Sequence, residues 1–198
     1  IGYLNEKYNN DFTIYDVSDQ KALLKEVVEQ LNIAEFKELN INFLRSQLDN
    51  FKNNSMTVEE VEAKANSFED EKIAEVYKRY SELLLSNNAV DFNDLIGMPI
   101  KLFKHSSALL EKYQQSWKYI LVDEFQDTNS PQFELISLLA GKHQNITVVG
   151  DDDQSIYGWR GANIDNILTN FKDTFKKSVE IKLEKNYRST QRILDGAW

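Results

Sequence analysis

Apolar residues in the first half of the chain recur every three or four positions. Leu23, Leu24, Val27, Val28 and Leu31 fall on one face of a helix that the stretch beginning at Ser18 would cap. Phe36, Leu39, Phe43, Leu44, Leu48 and Phe51 mark a second helix. Thr57-Val-Glu-Glu60 reads as a capping box that opens a third, long pattern through Val61, Ala65, Phe68, Ile73, Val76, Tyr77, Tyr80, Leu83 and Leu84. Asn53-Asn54-Ser55 and Asn87-Asn88 read as turn-like breaks. Residues 1–89 are therefore expected to form a helical unit, and a plain bundle without chemistry of its own is the simplest reading of it.

From Asp91 the texture changes. Tyr119-Ile-Leu-Val122 and Ile146-Thr-Val-Val149 are short continuous apolar runs of the kind found in parallel strands. Between them Phe133, Leu135, Ile136, Leu138 and Leu139 form a helical pattern closed by Gly141. A strand–helix–strand unit with parallel strands follows. Val179-Glu-Ile-Lys-Leu183 is read as a third strand. No internal repeat or low-complexity tract interrupts the chain.

Composition narrows the class without deciding the function. The 198 residues are 41% hydrophobic and 28% charged, as in a globular protein. No apolar run is long enough for a bilayer, and the absence of cysteine rules out disulfides and fits a cytoplasmic protein. The net charge of −9 argues against a large phosphate-binding face, but stacking on single-stranded bases needs rings, and 12% of the residues are aromatic.

In open α/β sheets ligands sit at the carboxyl ends of the strands, and here each expected strand ends in unusual residues. The first runs into Asp123-Glu-Phe-Gln-Asp-Thr128. Two adjacent carboxylates after an apolar strand suit a magnesium ion on nucleotide phosphates, with one carboxylate holding the metal and the next taking a proton from water. A solvated acidic turn is the bland alternative. The second strand leads into Gly150-Asp-Asp-Asp-Gln-Ser-Ile-Tyr-Gly-Trp-Arg-Gly161. Gly150 would permit a sharp exit, and Gly158 and Gly161 a close backbone approach. Gln154 can both donate and accept, as a γ-phosphate sensor must. Tyr157, Trp159 and Arg160 either pack into a core or stack on bases. The third strand runs into Glu184-Lys-Asn-Tyr-Arg-Ser-Thr190, where Arg188 could serve as an arginine finger, Tyr187 could lie against a nucleobase, and Ser189 could cap a helix. His105 and His143 are given no role.

In this order the strings resemble the UvrD/PcrA/Rep family of superfamily 1 DNA helicases. DEFQDT resembles motif II, VVGDDDQSIYGWRGA motif III and LEKNYRST motif IV, while FTIYDVSDQKALLKEV, KIAEVYKRY and NNAVDFNDLI are similar to family sequence around the helical insertion. The resemblance implies an α/β fold: a partial RecA-like parallel sheet, a P-loop NTPase fold lacking its first strand and P-loop, with a helical insertion subdomain. It assigns residues 1–89 to that insertion (1B-like), 90–182 to the later part of the first motor domain (1A-like) and 183–198 to the start of the second. By position it makes Asp123 the magnesium ligand, Glu124 the general base, Gln154 the γ-phosphate sensor, Arg188 the finger and Tyr187 the ring on adenine. Phe92, Tyr157, Trp159 and Arg160 become contacts to single-stranded DNA. Asn93 departs from the aspartate common in the family. ATP and Mg2+ are the implied cofactors, with single-stranded DNA and duplex junctions as partners, and the implied activity is 3′-to-5′ translocation and unwinding in repair or replication.

No GxxxxGK[ST] occurs anywhere in the chain. With Ile1 at one end and a helical pattern running to Trp198 at the other, the chain reads as a piece cut from a longer protein, inactive alone. A non-catalytic binding module that kept the fold, and the motor subunit of a helicase–nuclease, are the competing readings.

Overall fold

The computed structural model describes residues 8–9, 11–33, 40–158 and 161–197. Helix α1 (Val17–Gln30) is capped two residues before the expected position: Asp16 accepts from the amides of Ser18 and Asp19, and Asp19 returns the bond in a capping box. Asn40 caps α2 (Ile41–Asn53); Phe36 and Leu39 lie outside the described residues. The Thr57–Glu60 capping box forms and opens α3 (Val58–Lys64). The long pattern expected beyond it is two helices, because Ser67 caps a separate α4 (Phe68–Ser86) by accepting from the Asp70 amide. Both Asn-rich breaks are turns, with left-handed backbone at Ser55 and Asn88.

These four helices bury one apolar core that includes Leu23, Leu24, Val27, Leu44, Leu48, Val61, Val76, Tyr80 and Leu84. Truncating a fully buried leucine such as Leu24 costs about 2–5 kcal/mol. Two three-residue strands, β1 (Thr13–Tyr15) and β2 (Ala89–Asp91), pair in parallel beside this core.

The second half follows as α5 (Asp94–His105), α6 (Ser107–Ser116), β3 (Ile120–Val122), α7 (Ser130–Ala140) and β4 (Ile146–Val148). β3 and β4 pair in parallel, Ile120 opposite Ile146 and Val122 opposite Val148, as the two apolar runs predict. Gly141 follows α7 but stays right-handed (φ −54°). Under the sheet Phe125 meets Phe133 and Phe171 at ring-centroid distances of 6.1 and 5.6 Å, and Phe171 meets Phe175 at 5.0 Å. A π-helical turn (Asn166–Asn170) runs directly into the short α8 (Phe171–Thr174), and α9 (Gln191–Ala197) comes near the end of the chain.

The strand expected over Val179–Leu183 is not formed. A strand exists through its ladder, and among the described residues none pairs with this segment. Its alternating Val179, Ile181 and Leu183 are 83%, 79% and 86% exposed.

Candidate functional site

The β3–β4 ladder continues past both strands. Val149 donates to the Val122 carbonyl at 2.8 Å and Phe125 to the Val149 carbonyl at 2.9 Å. Between those bonds the chain must turn Phe125 into the core, and Glu124 makes the turn with left-handed backbone (φ 49°, ψ 44°). For a non-glycine residue this costs about 1–2 kcal/mol. The Glu124 amide donates to Asp123 Oδ1 at 3.0 Å, which stabilises the turn. Both carboxylates are left exposed at the carboxyl end of β3.

Gln126, 1% exposed, ties this turn to the loop after β4. Its Nε2 donates to Glu124 Oε2 at 2.7 Å and its Oε1 accepts from the Asp151 amide at 3.1 Å. Asp151 Oδ2 in turn accepts from Gln154 Nε2 at 2.5 Å. Glu124, Gln126, Asp151 and Gln154 thus form one continuous hydrogen-bonded chain. Gly150 is needed for close approach: a Cβ there would lie 2.6 Å from Gln126 Oε1 and 2.8 Å from Ile167 Cδ1. At Gly158 an added Cβ meets nothing within 4 Å among the described residues, so close approach to them is not what that glycine provides.

The far end of the DEFQDT segment is held as tightly. The Thr128 carbonyl accepts from the Asn163 amide at 2.9 Å and from Asn166 Nδ2 at 3.0 Å, and Asn129 bridges Ala162. Asn166, 1% exposed, also donates to the Asn129 carbonyl at 3.3 Å. The loop containing Gln154 and Tyr157 is therefore anchored at both ends on the residues that follow β3.

The remaining candidates divide. Phe92 is 54% exposed and Tyr157 37% exposed. Trp159 and Arg160 lie outside the described residues. Tyr187 is 84% exposed with Lys185 Nζ 4.9 Å from its ring centre. Arg188 is exposed on a turn whose amides at Arg188 and Ser189 both donate to Asn186 Oδ1 at 2.9 Å. Asn186, not Ser189, organises that turn, and α9 begins by closing on the Thr190 carbonyl. Among the described residues no hydrogen bond or ion pair joins Tyr187 or Arg188 to the Glu124–Gln154 chain.

A second polar cluster has no counterpart in the reading of the sequence. Lys52 Nζ sits 2.6 Å from Asp91 Oδ2 and 2.9 Å from Asp94 Oδ1, all three side chains being at most 19% exposed. Burial works against the Lys52 charge, but the Asp94 and Asp91 carboxylates outweigh it and raise its pKa. Burial also pushes the Asp94 carboxyl up. The Tyr80 hydroxyl donates to Asp91 Oδ2 at 3.3 Å. Burial, then the Asp91 charge, drives the Tyr80 hydroxyl far above the usual tyrosine range.

Among the described residues no group of three or more His, Cys, Asp or Glu side chains could hold a metal by itself. A magnesium ion carried by nucleotide phosphates needs only one or two carboxylates, and exposed Asp123 at a strand end suits that demand. No described helix is long and apolar enough to cross a membrane.

Residues 2–176 match the UvrD/REP helicase N-terminal domain. An ATP-dependent DNA helicase PcrA of Staphylococcus epidermidis is 46% identical over 187 residues, covering 94% of this chain and 25% of the relative. The PcrA of Staphylococcus aureus is 44% identical over the same length and shares. The chain thus spans about a quarter of the length of the curated relatives it matches.

Proposed function

The chain belongs to the UvrD/REP helicase family, and from that premise we propose that it supplies the water-activating side of the ATP site, and part of the DNA surface, of an ATP-dependent DNA helicase. The activity we infer is translocation from 3′ to 5′ on single-stranded DNA, with unwinding at duplex junctions, in repair or replication. Residues 1–89 are read as the helical insertion, 90–182 as the later part of the first motor domain and 183–198 as the start of the second.

The observation that supports this most directly is the chain from Glu124 through Gln126 and Asp151 to Gln154. It links the residue read as the base to the residue read as the γ-phosphate sensor. A shift of Gln154 on phosphate loss would reach Glu124 through three hydrogen bonds, and would reach Tyr157 through three residues of backbone. Asp123 would hold a magnesium ion, which when bound offsets phosphate charge. Glu124 would take the proton of the attacking water, and Arg188 would supply positive charge to the transferring group. Tyr187 would lie against adenine, and Phe92, Tyr157, Trp159 and Arg160 would stack on or pair with single-stranded DNA. Without a GxxxxGK[ST] loop the 198 residues alone are not expected to turn over ATP.

Glu124→Gln in the full-length helicase tests the assignment. Nucleotide binding should persist while DNA-stimulated turnover falls by about 10²–10⁴-fold. Turnover equal to the parent's would remove Glu124 as the base.

A further inference from the structure

Two turns that carry expected DNA contacts are gripped by consecutive residues of one helix in the other half of the chain. Helix α2 presents Leu44 and Leu48 to the core, and Lys52 continues that four-residue spacing. Its ammonium, instead of reaching water, enters the turn that carries Phe92: 2.6 Å to Asp91 Oδ2 and 2.9 Å to both oxygens of Asp94. The two carboxylates also brace the turn directly. The Asp94 amide donates to Asp91 Oδ1 at 3.1 Å and the Asp91 amide to Asp94 Oδ2 at 3.2 Å. One turn earlier on α2, Asp49 accepts from Asn93 Nδ2 at 2.9 Å. Phe92 is thus the exposed ring of a turn fixed on both sides.

The next residue of α2 holds the second turn. Asn53 Oδ1 accepts from Asn129 Nδ2 at 3.1 Å, just beyond the DEFQDT segment. Gly161, at φ +88°, packs so closely that a Cβ there would lie 2.9 Å from Asn53 Nδ2. Gly161 closes the loop that begins at Gly150 and carries Tyr157, and its amide donates to the Gly158 carbonyl at 2.9 Å. Burying a lysine between two aspartates is a poor way to gain stability, since desolvation cancels most of the attraction. It is an effective way to fix one geometry.

We propose that Lys52 and Asn53 are positioning residues for single-stranded DNA, holding the Phe92 turn and the Tyr157 loop at a set separation so that both rings meet the same strand. The helical half is then a strut of the DNA groove. This rests on the reading of Phe92 and Tyr157 as DNA contacts.

The test is made in the full-length helicase, with oligo-dT anisotropy for DNA, a fluorescent ATP analogue for nucleotide, and thermal melting as the control for folding. Lys52→Met should weaken oligo-dT binding by about tenfold while nucleotide affinity stays within about twofold. In a Phe92→Ala background the same change should add less than about twofold, because its effect passes through that ring. Asn53→Ala, which leaves the buried charges paired, should behave likewise against Tyr157→Ala and carries the test if Lys52→Met does not fold. Multiplicative effects in these cycles, or unchanged DNA binding by folded Lys52→Met and Asn53→Ala, would overturn the strut while Phe92→Ala and Tyr157→Ala still weaken binding. Unchanged binding by Phe92→Ala and Tyr157→Ala themselves would overturn the DNA reading, and the strut with it.

Discussion

Gln126 donates to Glu124 across 2.7 Å from a side chain that solvent barely reaches, so an exposed carboxylate is aimed by a buried amide. The other end of that amide accepts from the Asp151 backbone. Gln126→Leu keeps much of the volume and removes both bonds. It should lower unfolding free energy by about 1–3 kcal/mol, mainly from the unpaired amide left behind. Urea denaturation of the full-length protein measures it, and an unchanged midpoint would mean that water replaces both bonds.

Gly150 and Gly158 sit in one loop and should respond oppositely to the same change. Gly150→Ala forces a methyl onto Gln126 and Ile167 and should cost about 1–3 kcal/mol. Gly158→Ala, whose methyl meets none of the described residues, should stay within about 0.5 kcal/mol. Melting curves of the two variants compare them directly, and equal losses would refute the steric account.

The Asp16 carboxyl is held below its usual range by the Ser18 hydroxyl and then by the amides of Asp19 and Ser18. Asp70 is lowered in the same way, first by the Ser67 hydroxyl and then by the Asn66 amide. A depressed carboxyl stabilises the fold above its unfolded pKa, about 3.9, and loses that contribution as pH falls through the folded value. The contribution of both carboxylates should therefore be full at neutrality, begin to fade only below about pH 5 and be lost in more acid solution. Carboxyl carbon shifts followed by NMR would show it. Titration of either residue above the ordinary aspartate range would contradict it.

Trp159→Ala removes the largest ring assigned to the DNA surface. Loss of one stacked base should weaken oligo-dT binding by about 1–3 kcal/mol with little change in melting temperature. A matching loss of stability would mean that the indole packs into the protein instead.

Much of the fold was legible because it rests on local signals. The Thr57–Glu60 box, the Asn-rich breaks and the paired apolar runs at β3 and β4 each form where the sequence predicts. The split between α3 and α4 was hidden because Ala65 and Phe68 fit an unbroken period, although Ser67 three residues before Asp70 is itself a capping signal. β1 and β2 are too short to show alternation. Val179–Leu183 alternates well but has no ladder among the described residues. At the site, residue types and order pointed to Asp123, Glu124 and Gln154, yet Gln126 passed as one letter of a motif because its two bonds depend on where its amide points. Lys52 was visible in principle, as a cation in line with Leu44 and Leu48 on an apolar face.

The concentration of buried apolar side chains between Leu23 and Ala89 has a kinetic consequence. Among the described residues β3 and β4 make a two-stranded ladder, with Leu121 79% exposed, and such a pair is marginal on its own. Amide protons should therefore not exchange with solvent at one common rate. Those of Leu24, Val27, Leu44, Val76 and Leu84 should persist longest, and those of Leu121 and Val148 should be lost through partial opening that leaves the four-helix core intact. Hydrogen–deuterium exchange would then record the half that carries β3 and β4 as the first part of this chain to open.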